Sequence, residues 1–116
     1  MKFSCKISGN SMLPFIKNGD KLYFIPTKFI DTGDVVLYKS WNNKTVCHRI
    51  IKINNYITTK GDNCRYKDIK IKRSDIIGKI INIKSQKYKK ILTLLSITNI
   101  LKILNKGESL WKIQNG

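Results

Sequence analysis

The sequence predicts a mainly β domain closed by a C-terminal α-helix. Three observations carry this. Up to Lys84, short β-branched and aromatic runs recur between Gly, Asn and Asp turns. After Lys84, leucine and isoleucine fall at helical spacings instead. The 116 residues allow one domain with one modest core.

Taken in order, Asn18-Gly19-Asp20 is a turn that leads into a strand from Lys21 to Pro26. Asp31-Thr32-Gly33-Asp34 is a second turn. It feeds Val35-Val36-Leu37-Tyr38, which reads as a buried strand. Thr45 to Ile53 is a strand broken by Asn54-Asn55, and Tyr56 to Thr59 follows, so 45–59 reads as a hairpin. Lys60-Gly61-Asp62-Asn63 is a third turn. Ile69 and Ile71 alternate with lysines, and Ile76 to Ile83 carries Gly78, which suggests a bulge. Residues 86–106 read as one helix with a basic flank at each end. Its apolar stretch, Ile91 to Leu104, would be about 21 Å long, short of a bilayer core. It packs on the sheet, lies on anionic lipid or meets a partner helix. Two units are expected: 1–84 as the β-rich domain, and 85–116 as helix and tail, packed on the domain or at a membrane surface.

Hydrophobic residues make up 41% and charged residues 26%, the balance of a folded chain. The net charge of +16 would attract nucleic acid, anionic lipid or acidic peptide. Only three of the 23 basic residues are arginine (Arg49, Arg65, Arg73), and few aromatics lie among them. Base and phosphate recognition favours arginine, so no nucleic-acid partner is expected. Abundant Lys, Ile and Asn are also what AT-rich coding would produce. Cys5, Cys47 and Cys64 are an odd number with no Cys-x-x-Cys pair. A reducing compartment is the default, and the spacing with His48 matches no structural zinc pattern. No cofactor is expected. The first residues lack the apolar run of a signal peptide, and no stretch of about 20 apolar residues exists. These features imply a cytoplasmic location or a peripheral one at a membrane.

The stretch Gly9-Asn10-Ser11-Met12-Leu13-Pro14 raises a chemical question. A serine hydroxyl is a poor nucleophile near neutral pH unless a base takes its proton and donors receive the oxyanion. The sequence holds one histidine, His48, inside a strand pattern, and Asp62 and Asp68 follow it. Either aspartate could orient the imidazole. Taken singly, Ser11 could be a turn residue or cap, His48 a core or surface residue, and Asp62 a turn residue.

In order, these segments resemble the type I signal peptidases. Ser11-Met12-Leu13-Pro14 with Asn18-Gly19-Asp20 is similar to their nucleophile segment, which the LexA-type self-cleaving repressors share. Thr32-Gly33-Asp34-Val35-Val36-Leu37-Tyr38 resembles the strand that follows. His48-Arg49 and Thr58-Thr59-Lys60-Gly61-Asp62-Asn63, with Asp68 six residues on, resemble the endoplasmic-reticulum-type branch, whose base is histidine rather than lysine. The likeness spans roughly residues 7 to 83 and implies a catalytic domain of coiled antiparallel strands.

The resemblance implies Ser11 as nucleophile, His48 as general base and Asp68 as the orienting aspartate. It leaves Asp62 as loop holder or substitute for Asp68. Met12 and Pro14 would shape the substrate cleft, and the Ser11 backbone N–H would supply an oxyanion donor. Gly9 stands where relatives often carry a hydroxyl, and Ser8 is one step further off. Only ten residues precede Ser11, so the family's amino-terminal anchor is not expected. The implied function is a serine endopeptidase that removes leader or signal-like peptides after small side chains. A histidine base implies activity that falls as pH drops through about 6.5. The alternatives are a non-catalytic basic module binding nucleic acid or anionic lipid, and a self-cleaving repressor-type domain.

Overall fold

The computed structural model describes residues 1–83 and 89–99. Six antiparallel strands form one sheet: β1 (Phe3–Lys6), β2 (Lys21–Ile25), β3 (Val35–Lys39), β4 (Thr45–Ile53), β5 (Ile57–Lys60) and β6 (Ile76–Ile80). Their order across the sheet is β1-β2-β6-β3-β4-β5. Among the described residues one helix, α1 (Lys89–Ile97), packs against β4. The mainly β class with a short C-terminal helix is thus the observed one.

β3 is central and buried on both faces. Side chains alternate along a strand. Val35 and Leu37 therefore join Met12, Ile16, Leu22 and Ile80 in one core cluster, while Val36 and Tyr38 join Ile50, Ile57, Ile71 and Ile76 in the other. The strand's uninterrupted apolar sequence follows from this double burial.

Three elements differ from the sequence reading by more than one residue. β1 has no counterpart in it: Phe-Ser-Cys-Lys is short and mixed, and becomes a strand through pairing with β2, Cys5 opposite Leu22. β6 stops at Ile80 rather than Ile83 because a side chain takes over its ladder. The Asn82 side-chain oxygen accepts from the Tyr23 N–H at 2.8 Å. The alternation at Ile69 and Ile71 yields only a bridge, Ile57 to Ile71, before a 3-10 turn at Arg73–Asp75.

Gly78 does mark an irregularity. Leu37 lies opposite Gly78 but Tyr38 lies opposite Ile76, which leaves Ile77 as the extra residue of a bulge. A Cβ at Gly78 would stand 2.6 Å from the Phe24 ring and 2.7 Å from the Ile25 carbonyl oxygen. The helix expected over 86–106 is seen at Lys89–Ile97, and its other residues lie outside the described residues save Thr98 and Asn99. α1 turns Leu92, Thr93 and Ser96 inward and leaves Ile91, Leu94 and Ile97 exposed. Among the described residues no helix is long and apolar enough to cross a membrane.

Candidate active site

Ser11 sits on a loop closed at both ends. The Ile7 N–H donates to the Asp20 carbonyl at 2.9 Å, and the Gly19 N–H donates back to Ile7 at 2.8 Å. Gly9 and Gly19 have φ near +93° and +91°, which glycine adopts without strain. Met12 and Ile16 are buried and fasten the loop to the core. Ser11, between exposed Asn10 and buried Met12, is half-buried.

β4 brings the imidazole to it. His48 lies opposite Val36 in the β3–β4 ladder. Its Nε2 is 3.0 Å from Ser11 Oγ, and its Nδ1 is 2.6 Å from Asp68 Oδ2. An ionised carboxylate only accepts, so Nδ1 carries the proton and Nε2 accepts from the serine hydroxyl. Asp68 is tied to the end of the sheet by its N–H, which donates to the Thr59 carbonyl at 2.9 Å. Its Oδ2 also accepts from the Thr59 hydroxyl at 2.8 Å and the Tyr38 hydroxyl at 3.1 Å. Burial pushes the Asp68 carboxyl up, but the hydrogen bond and charge of His48, with the two hydroxyls, outweigh it. The carboxyl lies below its ordinary value. Burial pushes the Tyr38 phenol well up, so it stays a donor.

Asp62 goes elsewhere. It accepts from Arg49 through two parallel bonds, Nε to Oδ1 at 2.9 Å and Nη2 to Oδ2 at 2.7 Å. Arg49 also donates to the Gly33 carbonyl at 2.9 Å. Both side chains of this pair are essentially dry, 1% and 0% exposed. The structure therefore brings Ser11, His48 and Asp68 together and sets Asp62 on Arg49.

The turn that carries Asp62 grips three successive residues of the serine loop. The Asn63 N–H donates to the Ser11 carbonyl at 2.8 Å, and the Asn63 side-chain amide donates to the Asn10 carbonyl at 3.1 Å. The Asp62 N–H points at the Met12 sulfur at 3.4 Å. Gly61 makes this approach possible. A Cβ there would lie 2.7 Å from the Ser11 carbonyl oxygen and 3.0 Å from His48 Nε2.

A cleft of about 430 Å³ opens beside Ser11 and His48. One wall is the end of β1 with Ile7 and Ser8, the other is the first half of β4, and Leu37 of β3 contributes to the lining. β1 and β4 are not neighbours in the sheet, so the sheet coils to bring them to one opening. Each wall has an edge that no described strand pairs. β1 ends the sheet order, and β4 pairs with β5 only from Arg49 onward. Met12 and Pro14 lie apart from this lining. Met12 is buried under the loop, and Pro14, after a cis peptide bond, borders a second hollow with Phe15 and Ile83.

A family model described as Peptidase S24-like matches residues 1–81. The chain belongs to the Peptidase S24-like family. Its class of chemistry is accordingly that of serine peptidases. No curated protein matches the sequence. The S24-like segment covers the whole six-stranded sheet and every residue of the Ser11–His48–Asp68 line.

Tyr38, Thr59, Arg49, Gly61 and Asn63 stand in the motifs that the sequence reading quotes, but that reading gives none of them a role in this S24-like site. A hydroxyl at Thr59 in a fully buried strand is the signal that could have marked a partner for a buried charge. Cys5 and Cys47 carry no comparable chemistry. Burial raises Cys5 and pushes Cys47 up to about 12, aided by neighbouring Cys5 and Asp62, so neither is a thiolate at neutral pH. Among the described residues no group of three or more His, Cys, Asp or Glu could hold a metal ion.

Proposed function

We propose that this chain is a serine endopeptidase of the signal-peptidase kind, which cuts a leader or signal-like peptide from a precursor after a small side chain. The observation that carries this reading is the unbroken line Ser11 Oγ, His48 Nε2, His48 Nδ1, Asp68 Oδ2, with contacts of 3.0 and 2.6 Å. His48 takes the serine proton as Oγ attacks the scissile carbonyl, then returns it to the leaving amine. Asp68 holds the tautomer and stabilises the imidazolium. Water repeats the sequence to release the acyl group. The Ser11 N–H receives the oxyanion, and the Ser8 hydroxyl, on the same cleft, is the candidate second donor. The substrate backbone adds as a strand between the free edges of β1 and β4. The use of histidine, with His48-Arg49 and Lys60-Gly61-Asp62-Asn63 in order, favours the endoplasmic-reticulum-type branch over a lysine-based self-cleaving repressor.

In the same reading, residues 1–84 are the catalytic unit and 85–116 an appendage. The outward Ile91, Leu94 and Ile97 of α1, with the neighbouring lysines, favour peripheral contact with a lipid surface.

The test is a mass-spectrometric census of peptide amino termini in cells carrying the intact chain or Ser11→Ala. New termini after small residues, present only with the intact chain, are expected. Identical termini from two equally folded and abundant proteins would overturn the reading and leave a basic binding module.

A further inference from the structure

The cleft beside Ser11 has an electrostatic character that the catalytic line does not explain. Lys6 is the one fixed charge among its lining residues, and no carboxylate lines it. The surroundings reinforce this. On the β1 wall, Lys6 stands opposite Lys21. On the β4 wall, Lys44 precedes Thr45, and Lys39 stands opposite it. All four lysines are exposed; Lys6 lines the cleft itself, Lys44 and Lys39 adjoin its lining residue Thr45, and Lys21 borders the second hollow.

The six aspartates of the described residues are used inside the fold. Asp20, Asp31 and Asp75 accept from backbone N–H groups of their own turns. Asp34 accepts from the Asp31 N–H and lies 3.8 Å from Lys79. Asp62 holds Arg49, and Asp68 holds His48. The carboxylates of the described residues are thus committed to turns and ion pairs, while Lys6, Lys39 and Lys44 face solvent on or beside the cleft walls. A cleft lined by one sign of charge concentrates a ligand of the other sign.

We propose that the substrate of this site is a peptide with acidic side chains close to the scissile bond. The proposal rests on the peptidase reading and narrows it. A secretory signal peptide keeps its charge at the amino terminus, an apolar stretch away from the cut site, and so offers these basic walls no complement. An acidic leader is drawn in, and its carboxylates meet Lys6 on one side and Lys39 and Lys44 on the other as the backbone pairs with the strand edges. Steering of this kind acts chiefly on encounter and register, and salt screens it.

The experiment uses three peptides with one alanine cut site, flanked by glutamate, glutamine or lysine. The full chain cleaves them at about 50 mM and about 500 mM salt, where the screening length falls several-fold. At low salt the glutamate peptide should show a kcat/KM about tenfold or more above the glutamine peptide, within the range of electrostatic steering. High salt should erase most of that advantage. Lys6→Glu with Lys44→Glu should abolish it, whereas Lys52→Glu, on the far half of β4, should not. Equal cleavage of all three peptides overturns the proposal and leaves the peptidase reading intact. An equal loss from Lys52→Glu also overturns it, because the charge would then act from the whole surface. If no peptide is cleaved, the peptidase reading is what fails. Anisotropy of a labelled glutamate peptide on Ser11→Ala then decides the proposal, which stands if Lys6→Glu with Lys44→Glu weakens binding and falls if binding is unchanged.

Discussion

His48 and Arg49 are consecutive on one strand, and each meets an aspartate that follows β5, yet the two pairs live in different solvents. The Arg49–Asp62 side chains are 1% and 0% exposed, whereas those of His48 and Asp68 are 11% and 25% exposed. Successive residues of a strand project to opposite faces, so one face receives a dry, bidentate pair and the other an imidazole that opens onto a cleft. The dry pair has a bidentate carboxylate, a further bond to the Gly33 carbonyl and a permanently charged cation, and it suits holding. The wetter pair ends on a serine hydroxyl and suits moving a proton. The difference teaches that two acidic residues of one short segment have divided work between them, one fixing the turn and one serving the histidine.

The sharpest way to separate the pairs is to remove one carboxylate at a time. Asp68→Asn leaves the shape but misdirects the imidazole tautomer, and should lower kcat/KM by about 10⁴-fold. Its stability should fall by only about 1 kcal/mol, the worth of a hydrogen bond. Peptide cleavage and urea unfolding on the same sample check both figures. Asp62→Asn should do the reverse. It strands a buried guanidinium and should cost about 3–5 kcal/mol of stability, with activity per folded molecule within about tenfold of the wild type, far from the loss at Asp68. A large loss of activity without loss of stability at Asp62 would erase the division.

The link between the pairs can be broken at Gly61. Gly61→Ala pushes a methyl group against the Ser11 carbonyl and His48 Nε2, and should lower kcat by about 10²-fold with little change in KM. Asn63→Ala removes one side-chain bond to Asn10 and keeps the backbone bond to Ser11. A loss of about 1 kcal/mol in a urea titration is expected.

The smallest effect is the acid limb of stability. The Asp68 carboxyl is depressed in the folded state, so its contribution is present above the ordinary carboxylate value of about 3.9 and is lost as pH falls through the lower folded value. Wild type should therefore lose more stability than Asp68→Asn as pH falls below about 4, read as Tm by calorimetry.

Much of the sheet is visible in the residues. Thr45–Ile53 is a long β-branched run between turn residues, and the observed strand has those same ends. Phe3–Lys6 is not visible, because nothing in four mixed residues shows that Leu22 waits opposite Cys5. The serine, the histidine and the two aspartates stand out by type and spacing, but their pairing comes only from the family resemblance, which implies Asp68. Which aspartate reaches the imidazole depends on how β5 runs beside β4, with Arg49 opposite Lys60 and Ile50 opposite Thr59. That register places Thr59 where it can hold Asp68, and neither spacing nor composition encodes it. For α1, the helical spacing is plain but its orientation is not. A sequence reader puts leucine and isoleucine inward, yet Thr93 and Ser96 are buried and Leu94 faces out.

The edges of β1 and β4 that no described strand pairs have a consequence for the resting protein. An open edge that accepts a peptide also accepts a second copy of the same edge, which is how sheets begin to aggregate. Lysine on an edge strand is a natural guard against that, since two identical edges then repel. Lys6 sits on such an edge, beside Cys5 and Ile7, the apolar residues that would otherwise stick. One side chain can thus keep the empty molecules apart while leaving the same edge open to a strand of opposite charge.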